Sequence, residues 1–371
     1  MKILLLEPFM GGSHRQWAEA YQKHSKHAIS IFGLQGRHWK WRMYGGAVSL
    51  AKQFMDSDIS PDLILATDML DLTTFLALTR LRTHQIPVCL YFHENQITYP
   101  WSPTDKDVSA GRNNQYGFIN YTSALAADRI CFNSGFHREA FLSALPAFLR
   151  QFPDHREAQN TELLREKSEI LPLGLNLNQF NEIAERPKPR EAVLLWNHRW
   201  EYDKDPDLFF RTLYQLEKED LPFKLIVLGR DYHKMPPIFA EAKEKLKNRI
   251  LHFGYAEDKK TYGQWLKVAD ILPVTNQQDF FGGSIVEAIH CGCYPILPDR
   301  LAYPEHIPKA FRARHLYQNP TELLEKLRSA ILSIQEIRQD KSYPNFVGHY
   351  DWSILAPRYD DFFERHNTRD L

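Results

Sequence analysis

Two carboxylates, Asp279 and Glu287, stand eight positions apart in DFFGGSIVEAIHCGCYPILP (279–298), with Gly282, Gly283 and Ser284 between them. The apolar run at 269–275 reads as a buried strand, and Ile285, Val286, Ala288 and Ile289 space a helix over 283–291. Gly282, Gly283 and Ser284 then open that helix, where backbone N–H groups lack intrahelical partners and the dipole favours an anion. Acid on either side of an anion seat suits a diphosphate flanked by two diols, as in a nucleotide sugar. A strand–turn–helix whose acids are merely solvated is the competing reading. About 75 residues upstream, WNHRWEYDKDP (196–206) places Arg199 and Lys204 between a strand and a helix. Both cations can neutralise a leaving diphosphate, Arg by its planar fork and Lys as a point charge. Alternatively they are surface cations paired with Glu201, Asp203 and Asp205. The two segments together favour the phosphate reading.

The first half carries weaker signals. LEPFMGGSH (6–14) is a strand, a glycine turn and a helix start. It falls short of a full dinucleotide fingerprint, yet it makes Gly11 and Gly12 candidates for the donor and His14 for the acceptor. YFHENQITYP (91–100) sets His93, Glu94, Asn95 and Gln96 just beyond a strand, either lining a cleft or forming a solvated loop. QGRHWKWRMYGG (35–46) interleaves Arg37, His38, Lys40 and Arg42 with Trp39 and Trp41. Cations for phosphates and rings for unstacked bases suit RNA. One tryptophan in the core beneath a solvated basic face fits equally. Metal catalysis finds little support: no Asp-x-Asp doublet follows a strand, and Asp203 and Asp205 flank Lys204. No metal and no cofactor are expected.

These residues need a scaffold. Strand-like and helix-like runs alternate throughout, which predicts α/β architecture with parallel sheets covered on both faces. Helices are expected near 14–24, 47–55, 72–84, 116–127, 135–149, 206–219 and 259–268. The Pro- and charge-rich stretch 181–190 reads as a linker, after which the pattern restarts. The expected organisation is a domain over 1–180, a second over 191–350, and a C-terminal helix over 351–371 returning to the first. Its apolar stripe is Trp352, Leu355, Tyr359 and Phe362. Two doubly wound domains would face each other across a cleft, with ligands at strand C-terminal ends. A length of 371 residues agrees with two cores.

Composition narrows the class. With 43% hydrophobic and 25% charged residues, disorder, collagen and coiled coil are excluded. The 46 basic and 46 acidic residues cancel, but residues 1–55 hold eight Lys and Arg against two Glu, a local net of +6. No apolar run reaches membrane-spanning length, and MKILLLEP reads as a first strand rather than a signal peptide. The four cysteines form no zinc pattern and read as reduced thiols, hence a cytoplasmic protein.

The second-half motifs resemble retaining nucleotide-sugar glycosyltransferases of the GT-B fold. Arg199, Lys204, Asp279, Gly282, Gly283 and Glu287 match their donor pattern, with Asp279 where Glu is usual. His93 matches a histidine that such enzymes place against the transferred sugar, and PLGLNLNQF (172–180) resembles their segment before the linker. LEPFMGGSHRQW, RHWKWR, YFHENQITYP, NHRWEYDKDP and FFGGSIVEAIHCGCYPILP together resemble the tRNA-queuosine α-mannosyltransferase family along nearly the whole chain. The resemblance implies metal-independent transfer of mannose from GDP-mannose to the cyclopentene-diol of queuosine at the tRNA wobble position. His93 and Asp279 would then position the hexose, Arg199 and Lys204 the diphosphate, and Glu287 the ribose diol. Transfer to a carbohydrate or lipid, a GT-B epimerase, and an RNA-binding protein with an inactive donor site are the alternatives.

Overall fold

A computed structural model describes residues 1–102, 105–229 and 235–366. The chain forms two compact units, one of Met1–Leu175 with the segment from Trp352 onward, the other of Asn176–Asp351. In the first, six strands are ordered β2-β1-β3-β4-β5-β6: β1 Lys2–Met10, β2 Ala28–Gln35, β3 Leu63–Thr67, β4 Val88–Phe92, β5 Arg129–Phe132 and β6 Ser168–Ile170. Every pairing is parallel. β3 and β4 are buried at every position, because helices cover both faces of the sheet. Leu4, Leu6, Ile64, Ala66, Leu90 and Phe132 carry the central core.

The second unit orders its strands β12-β11-β10-β7-β8-β9: β7 Ala192–Asn197, β8 Phe223–Leu228, β9 Ile250–Gly254, β10 Ile271–Pro273, β11 Tyr294–Pro298 and β12 Leu316–Tyr317. In each sheet the winding reverses once, between β1 and β3 and between β7 and β10. Open α/β sheets bind ligands at such a reversal, outside the strand C-termini.

Three boundaries differ from the sequence reading. The chain passes between units at 175/176, and the 181–190 stretch packs on the second unit. There Lys188 Nζ lies 2.9 Å from Asp270, and Lys267 Nζ donates to the Ile183 carbonyl at 2.5 Å. The helix expected over 47–55 spans Trp39–Met55 instead. Glycines 45 and 46 weaken a helix intrinsically, but Met43 and Trp39 pack against Met69 and Tyr116, and tertiary contact overrides propensity. Gly46 is required there: a Cβ would sit 2.9 Å from Pro8.

The helix Trp352–Arg365 belongs to the first unit. Tyr359 OH receives the Trp17 indole N–H at 3.2 Å and donates to the Pro172 carbonyl at 2.8 Å. Asp360 accepts from Tyr21 OH at 2.8 Å. Trp352 lies so close over Gly174 that a Cβ there would come within 2.4 Å of the indole. Among the described residues no helix is long and apolar enough to cross a membrane.

Candidate functional site

The second unit gathers its chemistry where β7 and β10 end. After β7 the chain runs through His198 and Arg199 into a short turn at Tyr202–Lys204. Asp205, at φ 50°, caps the helix Pro206–Lys218 by accepting from Leu208 N–H at 3.1 Å. That turn drives Lys204 inward. Its Nζ is buried, donating to the Gln278 carbonyl at 2.6 Å and to Asp279 Oδ1 at 3.1 Å, with Asp203 Oδ2 also at 3.1 Å. Burial opposes its charge, yet Asp279 and Asp203 outweigh burial and raise its pKa.

Asp279 is braced on its other oxygen by Asn276 Nδ2 and Tyr303 OH, each at 2.6 Å. Burial would raise its pKa; Lys204 and those hydrogen bonds bring it below the ordinary value. Arg300 fixes the loop after β10 by donating to the Thr275 and Asn276 carbonyls at 3.1 and 3.0 Å. His198 is buried and neutral, its pKa pushed down to about 3 chiefly by burial. His198 Nε2, Asn276 Oδ1 and Gln278 Nε2 are buried without a hydrogen-bond partner. Unmet polar groups concentrated at one place are a mark of function.

Gly282, at φ 87°, stands before the helix Gly283–His290. Only glycine is at ease in that left-handed turn. Asn197 Nδ2 reaches both the Ser284 carbonyl (2.9 Å) and Tyr262 OH (3.0 Å), tying the end of β7 to the helix start. Glu287 is buried, and its carboxylate accepts from Tyr262 OH at 2.7 Å with Lys259 Nζ at 3.4 Å. Arg199 remains half exposed and pairs with Glu201 at 3.3 Å. The expected donor residues Arg199, Lys204, Asp279, Gly282, Gly283, Ser284 and Glu287 fall in one unit around one sheet reversal, whereas Gly11 and Gly12, also expected at the donor, belong to the other unit. Lys204 and Asp279, read separately as phosphate and sugar ligands, are an ion pair.

In the first unit Glu7, Asp68 and His93 come together at the ends of β1, β3 and β4. Glu7 accepts from Phe9 N–H at 2.8 Å and lies 3.0 Å from His14 Nδ1. The His14 and His93 ring centroids are 4.3 Å apart, and Trp17 and Tyr91 enclose His93 at 4.7 and 4.9 Å. Burial disfavours a charged His14, but Glu7, then Asp68 and Glu94, lift its pKa to about 9. Burial, then the neighbouring His14, pushes His93 well below the imidazole range. The donor atoms of Glu7, His14 and His93 lie within 4.8 Å of one another. Glu7 and His14 already satisfy each other, so the arrangement is a hydrogen-bonded pair beside a second imidazole.

The HENQ loop is built from within. His93 N–H donates to Asp68 Oδ1 at 2.7 Å, and Asn95 Oδ1 caps the next turn by accepting from Ile97 and Thr98 N–H. Gln96 Nε2 donates to Glu94 Oε1 at 2.8 Å. Gly11 and Gly12 open the helix Gly12–His24. Gly11 abuts Gly36, where a Cβ would stand 2.6 Å from the Gly11 Cα.

The basic stretch at 37–42 is not the open patch that its letters suggest. Lys40 Nζ sits 2.6 Å from Asp105 and 2.5 Å from Asp107, beneath the rings of Trp39, Trp101 and Tyr116. Trp39 packs on Trp101 and Tyr116. Lys40 and Trp39 therefore brace the loop at 105–107. Arg42 donates to the Gln35 carbonyl at 3.1 Å, and Arg37 to the Gln35 side chain. Trp41 is 63% exposed and covers Gly45; Arg37 and His38 are exposed beside it, and Arg42 is half-buried. Asn276, Tyr303, Arg300, Asn197, Tyr262, Lys259, Glu7 and Asp68 escaped the sequence reading. Of these, Glu7 and Asn197 lay inside motifs already singled out.

Residues 2–175 match the tRNA-queuosine alpha-mannosyltransferase N-terminal family, and residues 178–343 match glycosyl transferases group 1. The tRNA-queuosine alpha-mannosyltransferase of Drosophila melanogaster is 34% identical over 98% of this chain and 97% of its own. The chain belongs to the tRNA-queuosine α-mannosyltransferase family. A D-inositol 3-phosphate glycosyltransferase of Jonesia denitrificans is 23% identical over 50% of this chain and 49% of its own. Among solved structures, Anabaena Alr3699/HepE in complex with UDP superposes with a TM-score of 0.68 at 15% identity, covering 98% of this chain and 100% of that one. Sucrose-phosphate synthase from Thermosynechococcus elongatus gives 0.70 at 13% identity, covering 98% and 99%. The fold is that of GT-B glycosyltransferases, as the sequence implied.

Proposed function

We propose that this chain is a retaining glycosyltransferase that moves mannose from GDP-mannose to a cyclopentene-diol hydroxyl of queuosine in the tRNA wobble position, in the cytoplasm. The observation that carries this reading is full-length identity to a named tRNA-queuosine alpha-mannosyltransferase. The ordered Lys204–Asp279 and Glu287 networks at the β7/β10 reversal support an active donor site. They weigh against an RNA-binding protein whose donor site has decayed.

Charge develops on the diphosphate as the glycosidic bond breaks. Arg199 swings from Glu201 to meet it, and Lys204 and the helix start at Gly282–Ser284 add fixed positive potential. These cations take the place of a metal. Asp279, held rigid by Asn276 and Tyr303, accepts from hexose hydroxyls, and Glu287 accepts from the ribose diol. The acceptor hydroxyl attacks from the face the phosphate leaves, and its proton passes to that phosphate, so no protein general base is required. The test incubates queuosine-containing tRNA with a panel of nucleotide sugars and digests it to nucleosides. A hexose mass shift on queuosine with GDP-mannose supports the reading. A shift with another donor alone overturns the sugar assignment, and no shift with any donor overturns the acceptor.

A further inference from the structure

The donor chemistry makes no use of the buried Glu7–His14 pair in the first unit. Glu7 Oε2 lies 3.0 Å from His14 Nδ1, and His14 in turn lies against His93 with ring centroids 4.3 Å apart. Glu7 is fully buried, and His93 Nε2 has no protein partner. We propose that Glu7 and His14 are positioning residues for His93: Glu7 holds His14 as a cation against the buried His93 ring, and that cation adds to burial in keeping His93 a neutral imidazole, with one N–H donor and one lone pair for substrate hydroxyls. The proposal rests on the reading of this unit as part of a glycosyltransferase.

Two imidazolium rings at this separation in a dry site repel each other, so one cation excludes the other. Glu7 decides which ring takes the charge, because it touches His14 and not His93. The groups facing His14 are Glu7 from β1, Asp68 after β3, and His93 and Glu94 after β4. His93 faces His14 and, from the helix Gly135–Leu149, His137, which burial keeps uncharged. Burial foremost raises the Asp68 carboxyl well above its usual range, which leaves Glu7 as the principal counter-charge. A neutral His93 matters because an imidazolium has no lone pair and can only donate. With a lone pair retained, the ring can both accept from one hydroxyl and donate to another.

The pair is tested in the full-length protein by nitrogen-15 NMR of the imidazoles alongside the pH profile of transfer at saturating donor. Wild-type protein is expected to show His14 doubly protonated and His93 singly protonated at about pH 7.5. The profile should bend on the acid side alone, since His93 stays neutral even after His14 loses its proton near pH 9. In Glu7→Gln that bend should move toward higher pH by more than about one pH unit, the equivalent of over tenfold in proton affinity, because His93 then faces no cation. Donor KM should stay within about twofold, and Glu7→Asp should restore part of the shift. A neutral His14 in the wild type overturns the proposal, as does a Glu7→Gln profile that bends where the wild type does. So does stoichiometric zinc in the purified protein that His14→Ala abolishes. Should Glu7→Gln fail to fold by circular dichroism, the wild-type NMR decides alone. If hexose transfer is absent but His14 is charged, the functional reading fails while the pair stands.

Discussion

The two sheets reverse their winding at equivalent places, yet the charges gathered there are arranged differently. At the β7/β10 reversal Lys204 is matched by Asp279 and Asp203, and each Asp279 oxygen has a firm partner. At the β1/β3 reversal one cationic imidazole faces three carboxyls, Glu7, Asp68 and Glu94, beside a neutral ring. The first arrangement is closed and rigid; the second depends on where protons sit. Closure suits the diphosphate binding proposed for the first, since preorganised dipoles need no rearrangement in the transition state. Asp279 has a depressed pKa, so its contribution to stability is present above the ordinary carboxyl range and lost only as pH falls through its folded value. His14 has a raised pKa, so its contribution is present below the ordinary imidazole range and lost as pH rises toward about 9. Donor binding should therefore be flat from about pH 5 to 8.5, while the stability that the Glu7–His14 pair contributes fades at alkaline pH.

The sharpest way to break this contrast is Lys204→Ala. It leaves buried Asp203 and half-buried Asp279 without their cation, and loss of one partner of a buried pair costs about 3–5 kcal/mol. Chemical denaturation should show that loss together with abolished transfer. An unchanged unfolding midpoint would mean that the second unit is not closed in the sense argued. Glu287→Ala comes next: a hydrogen bond to a charged group contributes about 1.5–3 kcal/mol, so the donor Kd should rise at least about tenfold by calorimetry. Arg199→Ala should lower kcat by about tenfold or more, and stability by no more than about 0.5 kcal/mol, because Arg199 is half exposed. EDTA should leave transfer intact; loss restored by magnesium or manganese would show that these cations do not replace a metal. The smallest effect belongs to the basic stretch. Arg37→Ala and Arg42→Ala should each flatten the salt dependence of tRNA affinity by up to about 0.7–0.9 log units, if they meet phosphates. Lys40→Ala should leave the slope as it is and lower the melting temperature instead, since Asp105 and Asp107 occupy Lys40.

Where local chemistry decides, the sequence is legible. The helices Gly135–Leu149 and Lys259–Val268 match the reading at both ends, because Ser134 and Asp258 cap them from the adjacent position. The helix Trp39–Met55 was read short, since His38 enters it in a left-handed conformation and two glycines interrupt it. The residues proposed to bind the donor were legible as candidates, being glycines and charges at strand ends. Their partners were not: Tyr303 lies 24 positions from Asp279 and Tyr262 25 from Glu287, in segments with no signature of their own. Lys40 misled for the same reason. Its neutralising aspartates stand 65 and 67 positions away, and no local pattern distinguishes a caged lysine from one free to meet phosphate.

The central claim, mannose transfer to one modified base, is tested most directly with two tRNAs identical except for queuosine or guanosine at the wobble position. Each is incubated with GDP-mannose labelled in the sugar, with and without the protein. The account predicts label on the queuosine tRNA alone, abolished in Lys204→Ala and retained in EDTA. Equal labelling of both tRNAs, or release of free mannose with neither tRNA labelled, would contradict it.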